Sequence, residues 1–87
     1  MTTKPPSQVQ PAAEASLEQV AYSSVAGIPT TEPHDQDRLG YGVWYWLTFR
    51  KDPLETVVRN AHARLQIPEE EAIRRIRERL QSLGVQL

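Results

Sequence analysis

The 87-residue sequence contains no cysteine, which excludes disulfide cross-links and thiolate zinc sites. It holds two histidines and four glycines, and the glycines form no phosphate-cradling loop. His34 lies beside Asp35 and Asp37 in a proline-bounded stretch. That stretch reads as a solvated turn, because a metal centre needs three or four converging ligands. His62 has no serine or carboxylate at a spacing that suggests a triad. The sequence therefore predicts a non-enzyme with no metal, no cofactor and no small-molecule substrate. No segment approaches the ~20 apolar residues of a membrane helix. The opening MTTKPPSQVQPAAEAS has no apolar run after Lys4, so no secretory leader is expected and the cytoplasm is the default location.

Large apolar residues are scarce in the first half of the chain and crowd into the second. A core drawn from about half of so short a chain is marginal, and small domains offset this with disulfides, a metal or a partner chain. With the first two excluded, a second copy of the chain is the expected remedy. Charge is also uneven. Residues 1–36 carry Lys4 against Glu14, Glu18, Glu32 and Asp35, whereas residues 37–87 carry nine basic residues, eight of them arginine, against seven acidic ones. The basic half is compatible with an anionic partner without requiring one.

Five of the seven prolines fall within the first 33 residues, among many Ser, Thr and Gln. Such a stretch buries too little surface to offset its ordering entropy, so residues 1–40 are expected to be a flexible arm. One island interrupts it. Ser16 and Gln19 fit a capping box, and Leu17, Val20, Ala21 and Val25 fall on one face of a short helix over 16–25. This helix forms on contact with a partner, or the periodicity is fortuitous.

Residues 41–87 are read as a strand-helix-helix domain. Gly40 and Gly42 discourage a helix start, and the aromatic-rich run Val43–Arg50 favours a strand. Alternation places Val43, Tyr45, Leu47 and Phe49 on one face, with Trp44, Trp46, Thr48 and Arg50 on the other. Asp52, Pro53 and Glu55 form a helix start, followed by Leu54, Val57, Val58, Ala61 and Leu65 at helical spacing over 53–65. Pro68 opens a second helix over 68–83 with the stripe Ala72, Ile73, Ile76, Leu80 and Leu83, and Gly84 ends it. A lone strand leaves both edges unpaired, so the domain is expected to dimerise through it.

One strand and two helices in about forty-five residues, carried by Trp44–Arg50, Asp52-Pro53 and Ala61–Ile73, resemble the ribbon-helix-helix family. The resemblance spans residues 43–84. It implies a mainly α fold, a homodimer with paired strands in the major groove of double-stranded DNA, and a role in transcription regulation, as a repressor or a plasmid or phage accessory factor. Trp44, Trp46, Thr48 and Arg50, with the adjacent Lys51, would then face DNA, and the N-terminus of the second helix would hold a phosphate. The same helices also resemble a helix-turn-helix, with Arg74, Arg75 and Arg77 presented to DNA.

A second function remains open on the same residues. Glu69, Glu70 and Glu71 stand where a phosphate would dock, and Glu70 and Glu71 precede Arg74 and Arg75 at the spacing of helix-surface ion pairs. Trp44 and Trp46 are equally suited to a protein interface. The alternative is a non-enzymatic adaptor or small accessory subunit that binds a protein through this tryptophan-rich segment and the arm residues Leu17, Val20, Ala21 and Val25.

Overall fold

The computed structural model describes residues 16–87. Four helices carry the described chain: α1 (Leu17–Val25), α2 (Pro33–Phe49), α3 (Leu54–Asn60) and α4 (Glu69–Ser82). α1 starts on the reciprocal bonds its sequence announces. The Gln19 N–H donates to Ser16 Oγ at 3.1 Å, and the Ser16 N–H donates to Gln19 Oε1 at 3.3 Å. Ala21 and Val25 are fully buried. The helix is thus a packed part of the core, not a contact-dependent segment of an arm.

The strand expected over 43–50 is absent, and this overturns the ribbon-helix-helix fold. Residues 43–49 instead complete a 17-residue helix that starts with Pro33 in its first turn, and Arg50 is its C-cap. Leu39, Val43, Trp46 and Leu47 are buried on one side, while Tyr45 and Phe49 point outward. That is the three-and-four spacing of a helix, not the period of two of a strand. The two glycines are the physical reason for the difference. Each omits a side chain where a neighbouring element approaches α2. A methyl on Gly40 would overlap the ring of Tyr22 from α1, and one on Gly42 would lie 3.3 Å from the Ala61 Cβ. Both serve close packing inside a helix.

α2 contacts α1 and α3, and α4 contacts the same two helices. The four helices therefore close a ring around one core, to which Ala21, Val25, Leu39, Val43, Ile76 and Leu80 contribute fully buried side chains. Residues 16–40, expected as flexible arm, supply α1 and the first half of α2. Residues 1–15 of that expectation lie outside the described residues. The case for a dimer through the strand falls with the strand, since the described helices satisfy their backbone groups internally apart from their ends.

The connections are tied together by polar bonds. The Thr31 N–H donates to the Arg64 carbonyl and the Gln66 N–H to the Pro29 carbonyl, both at 3.0 Å, which forms a single antiparallel bridge between Thr30 and Leu65. Beside it Asp35, fully buried, accepts from the Glu32 N–H at 3.1 Å and from Arg64 Nε at 3.2 Å. Burial by itself would raise the Asp35 pKa. The backbone and side-chain hydrogen bonds from Arg64 and its charge, with the Glu32 bond, outweigh burial and hold the carboxyl below the ordinary range.

The two C-terminal helices occur where periodicity places them, with shorter bounds. α3 ends at Asn60 instead of reaching residue 65, because His62 takes the left-handed conformation at φ 59° and the following chain turns to pair with residues 29–31. Pro53, not Asp52, is its N-cap, and no side chain caps it. α4 buries Ala72, Ile73, Ile76 and Leu80. Gly84 at φ 91° ends it, with the Gly84 N–H donating to the Gln81 carbonyl at 3.0 Å and the Val85 N–H to the Leu80 carbonyl at 2.9 Å. These two bonds are the Schellman pattern. Among the described residues no helix is long and apolar enough to cross a membrane.

Candidate functional site

With one side of α2 spent on the core, the opposite side collects the aromatics. Tyr41, Tyr45 and Phe49 recur every four residues and are 58%, 38% and 50% exposed, with Trp44 half-buried beside them. Their rings touch in succession. Tyr41 and Trp44 have centroids 5.4 Å apart, Tyr45 and Phe49 4.7 Å, and Trp44 and Phe49 6.4 Å in an edge-to-face arrangement. An aromatic side chain buries about 150–250 Å² when covered, so the open part of this stripe amounts to roughly 350 Å². Apolar patches of about 300–600 Å² on monomers are often functional.

Two grooves flank Tyr41. One, of about 470 Å³, lies between α1, α2 and α3 and is lined by Tyr22, Asp37, Tyr41, Tyr45, Asp52 and Asn60 among others. The second, of about 210 Å³, is lined by Glu18, Tyr22, Tyr41 and Trp44. Tyr22 and Tyr41 are walls of both. Asp37, Asp52 and Glu18 have no ion-pair partner among the described residues. Arg38 also lines the larger groove, but its guanidinium is drawn toward Asp35 at 3.8 Å and the His62 carbonyl at 3.5 Å. The Tyr22 hydroxyl is pushed above its ordinary pKa, first by burial and then by the negative charges of Asp37 and Glu18.

The residues singled out from the sequence are dispersed by the fold. Trp44 is at the surface stripe, but Trp46 is a core residue at 7% exposure. Arg50 forms the left-handed C-cap of α2, stacks its guanidinium 4.1 Å over the Trp46 ring and donates to the Gln86 carbonyl at 2.8 Å. Thr48 and Lys51 are exposed. Arg74 and Arg75 lie on α4, and Glu71 accepts from both, at 2.7 and 2.8 Å. Glu78 accepts a further bond from Arg74 at 3.0 Å. The hydrogen bonds from Arg74 and then Arg75 lower the Glu71 pKa. Arg77 pairs with Glu55, and Arg59 with Glu69 at 3.2 Å. Most of the basic charge thus faces carboxylates of the same molecule.

The arm residues are divided in the same way. Leu17 is 44% exposed and Val20 half-buried, whereas Ala21 and Val25 are wholly enclosed. The stripe residues Tyr41, Tyr45 and Phe49, and the groove residues Tyr22, Asp37 and Asp52, were not distinguished by the sequence. The spacing 41–45–49 is the signal for them, but it becomes readable only once this segment is known to be a helix.

Family models, characterised proteins and solved structures compared with this chain give no match. Among the described residues no group of three or more His, Asp or Glu is placed to hold a metal ion. The surface around Tyr41 presents ring faces, one edge-to-face pair and three carboxylates that have no ion-pair partner among the described residues.

Proposed function

We propose that this chain is a non-enzymatic protein-binding module whose contact surface is the aromatic face of α2. The observation that carries this reading is the contiguous stripe Tyr41, Trp44, Tyr45 and Phe49, left open on a helix whose other side is buried. Covering apolar surface contributes about 25 cal/mol per Å². Tyrosine and tryptophan are also the side chains on which interface energy concentrates. A duplex-DNA reader is disfavoured by the same charges. Arg74, Arg75 and Arg77 are paired with glutamates, and three glutamates crowd the first turn of α4, where a phosphate would dock.

The test is site-directed photo-crosslinking in the cell that makes the protein, with the photoreactive residue at Thr48 on the stripe or at Glu70 on α4. The expected result is a discrete adduct with another protein from position 48. It is absent from position 70 and is lost when Tyr41 and Phe49 are both replaced by alanine. Adducts with the same chain only, identical patterns from both positions, or no adduct at position 48 would refute the reading.

A further inference from the structure

We infer that the paired grooves on either side of Tyr41 receive two basic side chains, arginine or lysine, from an extended segment of the partner protein. The inference rests on the protein-binding reading of α2 and adds the chemistry of what binds there. Three observations lead to it.

The first is the wall material. Tyr22, Tyr41 and Tyr45 line one groove, and Tyr22, Tyr41 and Trp44 line the other. Aromatic faces carry negative charge density and attract a cation held within about 6 Å of the ring centre. The second is charge complementarity. Each groove includes carboxylates without an ion-pair partner among the described residues, Asp37 and Asp52 in the larger and Glu18 in the smaller. Arg38, the one cation among the described residues that line the larger groove, is already directed at Asp35 and the His62 carbonyl. Tyr22 feels the field of two of these acids: besides its burial, Asp37 and Glu18 oppose its ionisation.

The third is size. The open stripe of roughly 350 Å² falls well short of the ~800 Å² per partner that a stable protein pair buries. It suits a short segment better than a second copy of this chain. The larger groove, at about 470 Å³, has room for a side chain with adjoining backbone. Sharing Tyr22 and Tyr41 as walls places the two grooves side by side, as two basic residues of one extended segment require.

The test uses the full chain in an NMR titration with the capped pentapeptide Gly-Arg-Gly-Arg-Gly, alongside the peptide with both arginines replaced by glutamine. The expected result is shifts at Tyr22, Tyr41, Tyr45 and Asn60 with the arginine peptide and none with the glutamine peptide. Tyr41→Ala weakens binding about three- to fivefold, whereas Tyr41→Phe, which keeps the ring, retains it. Asp37→Asn combined with Asp52→Asn also weakens binding, and Glu70→Gln on α4 does not. Amide spectra of each variant verify the fold. Shifts spread over all acidic residues, or binding indifferent to Tyr41→Ala, would overturn the inference. So would tighter peptide binding by Lys4→Gln, since the groove would then belong to the chain's own Lys4. Absence of peptide shifts while the Thr48 adduct still forms overturns the basic-segment inference alone and leaves the protein-binding reading in place.

Discussion

Gly40→Ala tests the packing that makes α2 a helix. Two effects oppose each other. Replacing a mid-helix glycine by alanine contributes about 1 kcal/mol of helix propensity. Against this, the new methyl would overlap Cδ1 and Cε1 of Tyr22 and stand 3.0 Å from its Cζ, where ordinary contact begins at 3.4 Å. The Tyr22 ring must retreat by about 1 Å to restore carbon–carbon contact. Overpacking of this kind costs about 1–3 kcal/mol. The expected net effect is a loss of about 1 kcal/mol, or about 4–8 °C in Tm for a domain of this size. The sign should reverse in a Tyr22→Ala background, where the obstacle is gone and the propensity gain of about 1 kcal/mol appears alone. Urea unfolding followed by circular dichroism on wild type, both single variants and the double variant measures the coupling, expected to be about 2 kcal/mol. Equal effects of Gly40→Ala in the two backgrounds would refute the claim that this glycine exists to admit Tyr22.

Three further outcomes are expected. Asp35 has a lowered pKa, so its contribution is present above the ordinary carboxylate value of about 4 and is lost as pH falls through the lowered value. Asp35→Asn should therefore lower Tm at neutral pH by a margin that closes in acid, read from melts across a pH series; a margin constant with pH would contradict the ion pair with Arg64. Leu80→Ala, at a fully buried position, should cost about 2–5 kcal/mol in denaturant titrations, whereas Arg74→Ala on the exposed face of α4 should cost about 1 kcal/mol or less. Gly84→Ala should destabilise by about 1–2 kcal/mol, because φ is 91° there and the site is otherwise open. Gly27→Ala, also in open space, serves as the control in the same thermal melts and should be neutral.

How far the fold could be read in advance follows from how local each signal was. Ser16 and Gln19 announced the start of α1 because a capping box needs only four consecutive residues. Leu54, Val57 and Val58, and then Ala72, Ile73, Ile76 and Leu80, displayed helical spacing without interruption. Gly84 marked the end of α4. The run Tyr41–Phe49 carried no local signal of that clarity. Aromatic residues suit strands by propensity, and two glycines suggested a break. The competing signal was the wider stripe Asp35, Leu39, Val43 and Trp46, which begins ahead of the glycines and continues past them. A period of two within eight residues conceals it. The candidate surface suffered the same fate: Trp44 and Trp46 look equivalent in a strand, but on a helix they diverge, one to the surface stripe and the other to the core.

The two C-terminal helices, the capped start of α1, the absence of disulfides and the ion-pair spacing of Glu71 with Arg75 are all legible in the linear chain. Each depends on residues within a turn or two of one another, or on composition alone. Long-range packing is what makes residues 33–49 one helix, places α1 in the core and leaves Tyr41, Tyr45 and Phe49 facing outward. Those outcomes turn on contacts between residues distant in the chain: Tyr22 against Gly40, Ala61 against Gly42, and Arg64 against Asp35. A glycine's meaning depends on what approaches it, and an aromatic residue's burial depends on which faces of its helix the neighbouring helices occupy.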